Sequence, residues 1–144
     1  MKLTEHFTLE EMTTTSEADL KENNFAEGRQ FLHELSQTAN LLEEVRALLK
    51  CPLIITSGFR GKELNRRIGG SPTSQHCKGE AADFIPKTIC SKEACILIAQ
   101  SPIKYGQLIL ELRGQGRIIH ISRGDKREYL YSPKAGVYEA GTLS

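Results

Sequence analysis

The sequence predicts an α+β protein, with a small antiparallel sheet and helices packed on one side of it. Three stretches predict this. From about Ala26 to Leu49 the apolar residues Phe31, Leu32, Leu35, Ala39, Leu42, Val45 and Leu49 recur at three- and four-residue steps, which is one face of a long amphipathic helix. Leu53-Ile54-Ile55-Thr56 is a short apolar run that reads as a buried strand. Gln107–Leu112 and Arg117–Ser122 alternate around Arg113-Gly114-Gln115-Gly116 and read as a hairpin. At 144 residues the chain is the size of one domain, 1–144, and long enough for a core.

Composition narrows the function classes. A net charge of +1 with no lysine- or arginine-rich block makes no electrostatic case for nucleic acid. No apolar run approaches the ~20 residues that span a membrane. The start, Met1-Lys2-Leu3-Thr4-Glu5-His6, turns polar at once and is no secretory signal. The expectation is a monomer made in the cytoplasm, reaching any outside substrate only by release or through another exporting factor. Cys51, Cys77, Cys90 and Cys95 contain no Cys-x-x-Cys pair, so they read as reduced thiols.

Taken in order, Thr8-Leu9-Glu10-Glu11 is a capping box opening a short helix. A polar stretch from Thr13 to Asn24 leads into the long helix, on which His33 lies off the apolar stripe and reads as a surface residue, as does His6. Cys51-Pro52 ends that helix. The strand at 53–56 runs into the turn Ser57-Gly58-Phe59-Arg60. Glu63–Ile68 reads as a helical turn, and Gly69-Gly70-Ser71-Pro72-Thr73 as a loop. Phe84-Ile85 continues a strand to Pro86. Ser91 reads as the N-cap of a helix that stops before Pro102. Glu128–Tyr131 reads as an edge strand, and 133–144 as a loosely packed tail.

The chemistry concentrates in Ser74-Gln75-His76-Cys77-Lys78-Gly79-Glu80-Ala81-Ala82-Asp83. Imidazole and carboxylate both ligate Zn²⁺, and a catalytic zinc takes three protein ligands. In one straight strand the odd offset sends His76 and Asp83 to opposite faces. Gly79 offers the turn that brings them back to one point. His120 is the candidate third ligand. Cys77 reads as a small buried side chain pointing away, with a spare soft ligand as the alternative.

The hairpin places a base beside this set. With a four-residue loop, Leu112 pairs with Arg117, Glu111 with Ile118 and Ile109 with His120. Gln107, Ile109, Glu111, Ile118, His120 and Ser122 then share one face, and Leu108, Leu110, Leu112, Ile119 and Ile121 form the core face. Glu111 becomes a diagonal neighbour of His120, about 7–8 Å away between backbones. It reads as the general base. The alternative is a structural partner for Arg113 or Arg117.

Ser-x-His-x-x-Gly-x-Ala-x-Asp, followed by a hydrophobic strand carrying His-x-Ser, resembles the M15 zinc peptidases, from Phe7 to Ser122. These are D-alanyl-D-alanine carboxypeptidases and peptidoglycan endopeptidases, many of them phage endolysins, with a fold shared with lysostaphin-type enzymes and the hedgehog domain. The resemblance implies Zn²⁺ on His76, Asp83 and His120, with Glu111 moving the proton. It also implies Arg60 in the active site, binding substrate or polarising a carbonyl. Ser74, Gln107 and Ser122 are further candidate substrate contacts. Some members carry the glutamate three residues before the last histidine, where this chain has Arg117; others carry it on the preceding strand, which fits Glu111. The aromatic residue common before the final ligand is replaced by Ile118-Ile119. The expected function is a zinc metallopeptidase cutting peptidoglycan peptides, D-Ala-D-Ala carboxypeptidase-like. The alternatives are an endolysin-type endopeptidase and a zinc-stabilised binding module without turnover.

Overall fold

The computed structural model describes residues 1–113 and 116–144. Helices occupy the first part of the chain. The capping box opens α1 (Leu9–Met12): Thr8 Oγ1 accepts the Glu11 amide at 3.1 Å, and Glu11 Oε1 accepts the Thr8 amide at 3.2 Å. Next come a 3-10 turn at Ala18–Leu20, α2 (Lys21–Gly28), a 3-10 turn at Arg29–Phe31 and α3 (Leu32–Leu49). Helical structure thus begins earlier than the apolar periodicity indicates. The buried face of the early part is Leu20, Asn24 and Gly28, spaced four apart. Two of those three are not apolar, so a hydrophobic stripe cannot reveal them.

The strands are β1 (Leu53–Ser57), β2 (Ala81–Pro86), β3 (Gln107–Arg113), β4 (Gly116–Ser122), β5 (Glu128–Lys134) and β6 (Val137–Ala140). They form one six-stranded sheet in the order β1-β2-β4-β3-β5-β6. Two helices complete the set, α4 (Lys62–Arg67) and α5 (Ser91–Gln100). The α+β class is as expected. The sheet, however, is mixed, because β5 runs parallel to β3. β1 lies at an edge, and Ile54 is half exposed there rather than buried.

Contacts divide the chain into two compact units, and the boundaries fall inside α3, β1 and β2. The first comprises Met1–Glu43 and Ile55–Ala82. Its fully buried side chains include Phe7, Leu9, Met12, Leu35 and Phe59. His6 donates from its ring to Glu43 at 2.7 Å, a surface role, as the sequence suggests.

The second unit comprises Glu44–Ile54 and Asp83–Ser144. Here α5 packs on β3 and β4. Cys90, one residue before the expected cap, closes its N-terminus by accepting the Glu93 amide on sulfur. The hairpin register is the one the alternation predicts: Ile109 opposite His120, Glu111 opposite Ile118 and Leu112 opposite Arg117. Of the four residues expected as the loop, Arg113 and Gly116 instead pair and extend the ladder by one rung, while Gly114 and Gln115 lie outside the described residues. Leu108, Leu110, Ile119 and Ile121 are buried on the core face. Val137–Ala140, within the expected tail, pairs with β5 as a sixth strand.

Candidate metal centre

His76 sits in a 3-10 turn, Gln75–Lys78, framed by two local devices. Ser74 opens the turn, its Oγ accepting the His76 amide at 3.2 Å. Gly79 closes it in the left-handed conformation, φ 73°, which costs glycine no Cβ clash. Thr38 donates to the Gly79 carbonyl at 2.6 Å and anchors the turn's far end on α3.

The His76 ring is 2% exposed, with Nδ1 2.7 Å from the Gly58 carbonyl. A carbonyl only accepts, so Nδ1 carries the hydrogen and the lone pair is on Nε2, the form in which neutral imidazole ligates. Gly58 is itself required. A Cβ there would lie 2.3 Å from the Met12 carbonyl oxygen.

Asp83 follows on β2 and His120 on β4. His120 Nδ1 lies 2.9 Å from Asp83 Oδ1, and both side chains are 13% exposed. The ligand atoms of His76, Asp83 and His120 all lie within 4.8 Å of one another. Two donors about 2.0–2.1 Å from a tetrahedral zinc stand roughly 3.3 Å apart, so the set has the right donor types and is gathered closely enough that small side-chain shifts would fit it to such an ion. The proton between His120 and Asp83 is the one a cation would displace.

Glu111 shares the His120 face of the hairpin, diagonal to it, while Arg117 projects from the opposite face. Arg60 follows β1 in Ser57-Gly58-Phe59-Arg60. Its Nε donates to Ser57 Oγ at 3.2 Å and its amide to the His76 carbonyl at 3.1 Å. It lines a cavity of about 880 Å³ with Phe31, Phe59, Lys62, Pro72 and Cys77. Cys77 is half-buried on this wall rather than among the three ligands, and burial raises its thiol pKa.

Gln107 and Ser122 meet at the other end of the hairpin. Ser122 is fully buried, with Oγ accepting the Gln107 amide at 2.9 Å. The Gln107 side chain donates to Glu128 at 2.8 Å.

Sequence reasoning overlooked Asn24. Buried at 2% exposure, its amide nitrogen donates to the Thr13 and Phe59 carbonyls at 2.8 and 3.0 Å, and its oxygen accepts the Gly61 amide at 2.7 Å. It clamps the chain on both sides of Arg60. Only its four-residue spacing from Leu20 and Gly28 was a signal, and a polar residue on that face reads as surface.

The family model described as peptidase M15 matches residues 5–122. No curated protein matches the chain. The match covers every candidate site residue from Arg60 to Ser122, and the chain belongs to the peptidase M15 family.

Proposed function

We propose that this peptidase is zinc-dependent and hydrolyses peptide bonds of peptidoglycan in the manner of a D-Ala-D-Ala carboxypeptidase. The observation that carries the reading is the convergence of His76, Asp83 and His120 within 4.8 Å. A zinc ion held there supplies Lewis acidity, acidifying water and polarising a carbonyl oxygen. The chain's own groups do the rest. Gly58 and Ser74 hold the His76 ring and turn in place. Glu111 accepts the proton of the attacking water and returns it to the leaving nitrogen. Arg60, oriented by Ser57, binds the terminal carboxylate of the substrate in a bidentate fork. Ser74 is the second candidate contact to substrate, while Gln107 and Ser122 maintain the end of the hairpin that carries His120.

A second reading, an endopeptidase, is favoured by the volume beside Arg60. At about 880 Å³ it lies high in the usual range for ligand sites, roughly 300–1,000 Å³, and takes more than one terminal residue. Arg60 then holds a carbonyl oxygen.

Digestion of purified cell-wall peptides by the zinc-loaded chain, read by mass spectrometry, separates the outcomes. Loss of one terminal alanine is expected. Cleavage inside cross-linked peptides points to the endopeptidase. No cleavage of any muropeptide by the fully loaded chain sinks both and leaves a binding module.

A further inference from the structure

The sheet face opposite His120 and Glu111 carries a second cavity, of about 330 Å³. Its makeup follows from the register. Leu110 pairs with Ile119, and Arg117 lies two residues before Ile119 on the same face. Leu110 pairs in parallel with Tyr131, and Tyr131 pairs with Glu139. Arg117, Leu110, Tyr131 and Glu139 therefore share one face across four adjacent strands, β4-β3-β5-β6. With strands about 4.8 Å apart and Arg117 two residues, about 7 Å, along the strand from the Leu110 rung, the backbones of Arg117 and Glu139 are separated by roughly 16 Å. Ser91 Oγ donates to the Arg117 carbonyl at 2.9 Å. That bond ties the first turn of α5 to β4 and brings Lys92 into the same cavity wall.

Charge is thus sorted by position. Two cations stand at one end, a carboxylate at the other, and Leu110 with the rings of Tyr129 and Tyr131 lies between. Among the described residues Lys92, Arg117 and Glu139 make no ion pair. The family match ends at residue 122, so β5 and β6, which supply both tyrosines and Glu139, lie beyond it. The trough joins Lys92, Leu110 and Arg117 from the matched region to these later residues, on the hairpin face away from His120.

We propose that the trough binds a short zwitterionic peptide, its carboxylate at Lys92 and Arg117 and its ammonium at Glu139. An extended tripeptide measures about 10 Å, and the long side chains at each end close the remaining distance. Its aliphatic middle lies against the half-buried Tyr129 and Tyr131, with the buried Leu110 as the floor beneath, and the phenol faces attract the ammonium further. A simple anion meets repulsion at Glu139, and a simple cation meets it at Lys92 and Arg117. Only a ligand with both charges satisfies both ends.

The test is a binding experiment that does not depend on catalysis. The full chain is titrated with tri-alanine and followed by NMR at the Leu110 methyls and the Tyr131 ring. Shifts at both are expected, and the N-acetylated or C-amidated peptide should bind about two- to fivefold more weakly. Glu139→Gln should abolish the penalty for acetylation and keep that for amidation; Arg117→Gln, with Lys92 remaining, should shrink the penalty for amidation and keep that for acetylation. Both side chains are exposed, so these variants keep the fold. Equal affinity for all three peptides overturns the proposal, as does the absence of shifts at Leu110 and Tyr131. Displacement of tri-alanine by equimolar glucuronate overturns it too, and points to an acidic sugar instead.

Discussion

At the scale of single residues, the histidine ligands differ in how they are held, and the consequences separate. His76 is oriented by a backbone carbonyl, whereas His120 is oriented by Asp83. Alanine at His76, Asp83 or His120 should each abolish tight zinc binding. Full zinc content by elemental analysis in all three variants would rule out this ligand set. Glu111→Gln keeps shape and removes the proton acceptor. Zinc should remain while hydrolysis falls about 10²–10⁴-fold; near-normal turnover places the base elsewhere. Arg60→Ala tests the carboxylate contact. For a carboxypeptidase, amidating the substrate's C-terminus should cost the native chain about as much as the substitution costs on free acid. The two losses should not add, because both remove one contact. Unchanged cleavage of the amidated peptide turns the assignment to the endopeptidase. Motif and hairpin pairing singled out His76, Asp83, His120 and Glu111 as candidates, and the family resemblance added Arg60. The hydrogen-bond partners that aim them were not, because Gly58 and Asn24 lie far from His76 and from Arg60's neighbours along the chain.

At the scale of elements, the segment carrying Arg60 depends on a side chain in α2. Asn24→Ala leaves two carbonyls and one amide without their buried partner. The expected cost is about 2–4 kcal/mol, seen as a fall of roughly 5–15 °C in Tm. Hydrolysis should fall in the surviving folded fraction more than zinc content does, since Arg60 and not the ligands loses its frame. A Tm within 1–2 °C of the parent, about the scale of a surface substitution, contradicts the clamp. The hairpin is the opposite case. Its register was readable because one face is apolar at every second position, and a slip by one residue would bury Glu111 and His120. β5 and β6 lack that alternation, with Pro133 inside β5 and mostly exposed residues along β6. β5 is placed by the edge that β3 offers and β6 by the edge of β5, not by local pattern.

At the scale of the whole molecule, acid and base should destabilise the fold for different reasons. On the acid side, Glu10 is held below its ordinary 4.5 by the N-terminal ammonium, and Asp19 below 3.8 by Arg67. Burial pushes Glu43 up, but the hydrogen bonds from the His6 ring and amide oppose it and its pKa is lowered. A lowered carboxyl stabilises the fold above its unfolded value and loses that contribution as pH falls through the folded one. On the base side, burial pushes the Cys95 thiol from 9.0 up to about 12 and the Tyr129 phenol from 10.0 up to about 12. A raised group contributes fully below its unfolded value and loses its contribution as pH rises toward the folded one. Tm should therefore be flat between about pH 5 and 9 and decline on both sides. A Tm that stays constant from pH 9 to 11 contradicts the burial of Cys95. The sequence by itself determined the α+β class, the long helix, the hairpin register and the identity of the ligand candidates, because each is written in local periodicity or close spacing. Only the tertiary structure decided the parallel pairing of β5 with β3, the Asn24 clamp and the orientation of the His76 ring. These rest on hydrogen bonds between residues distant in sequence, and such bonds leave no periodic trace in the chain.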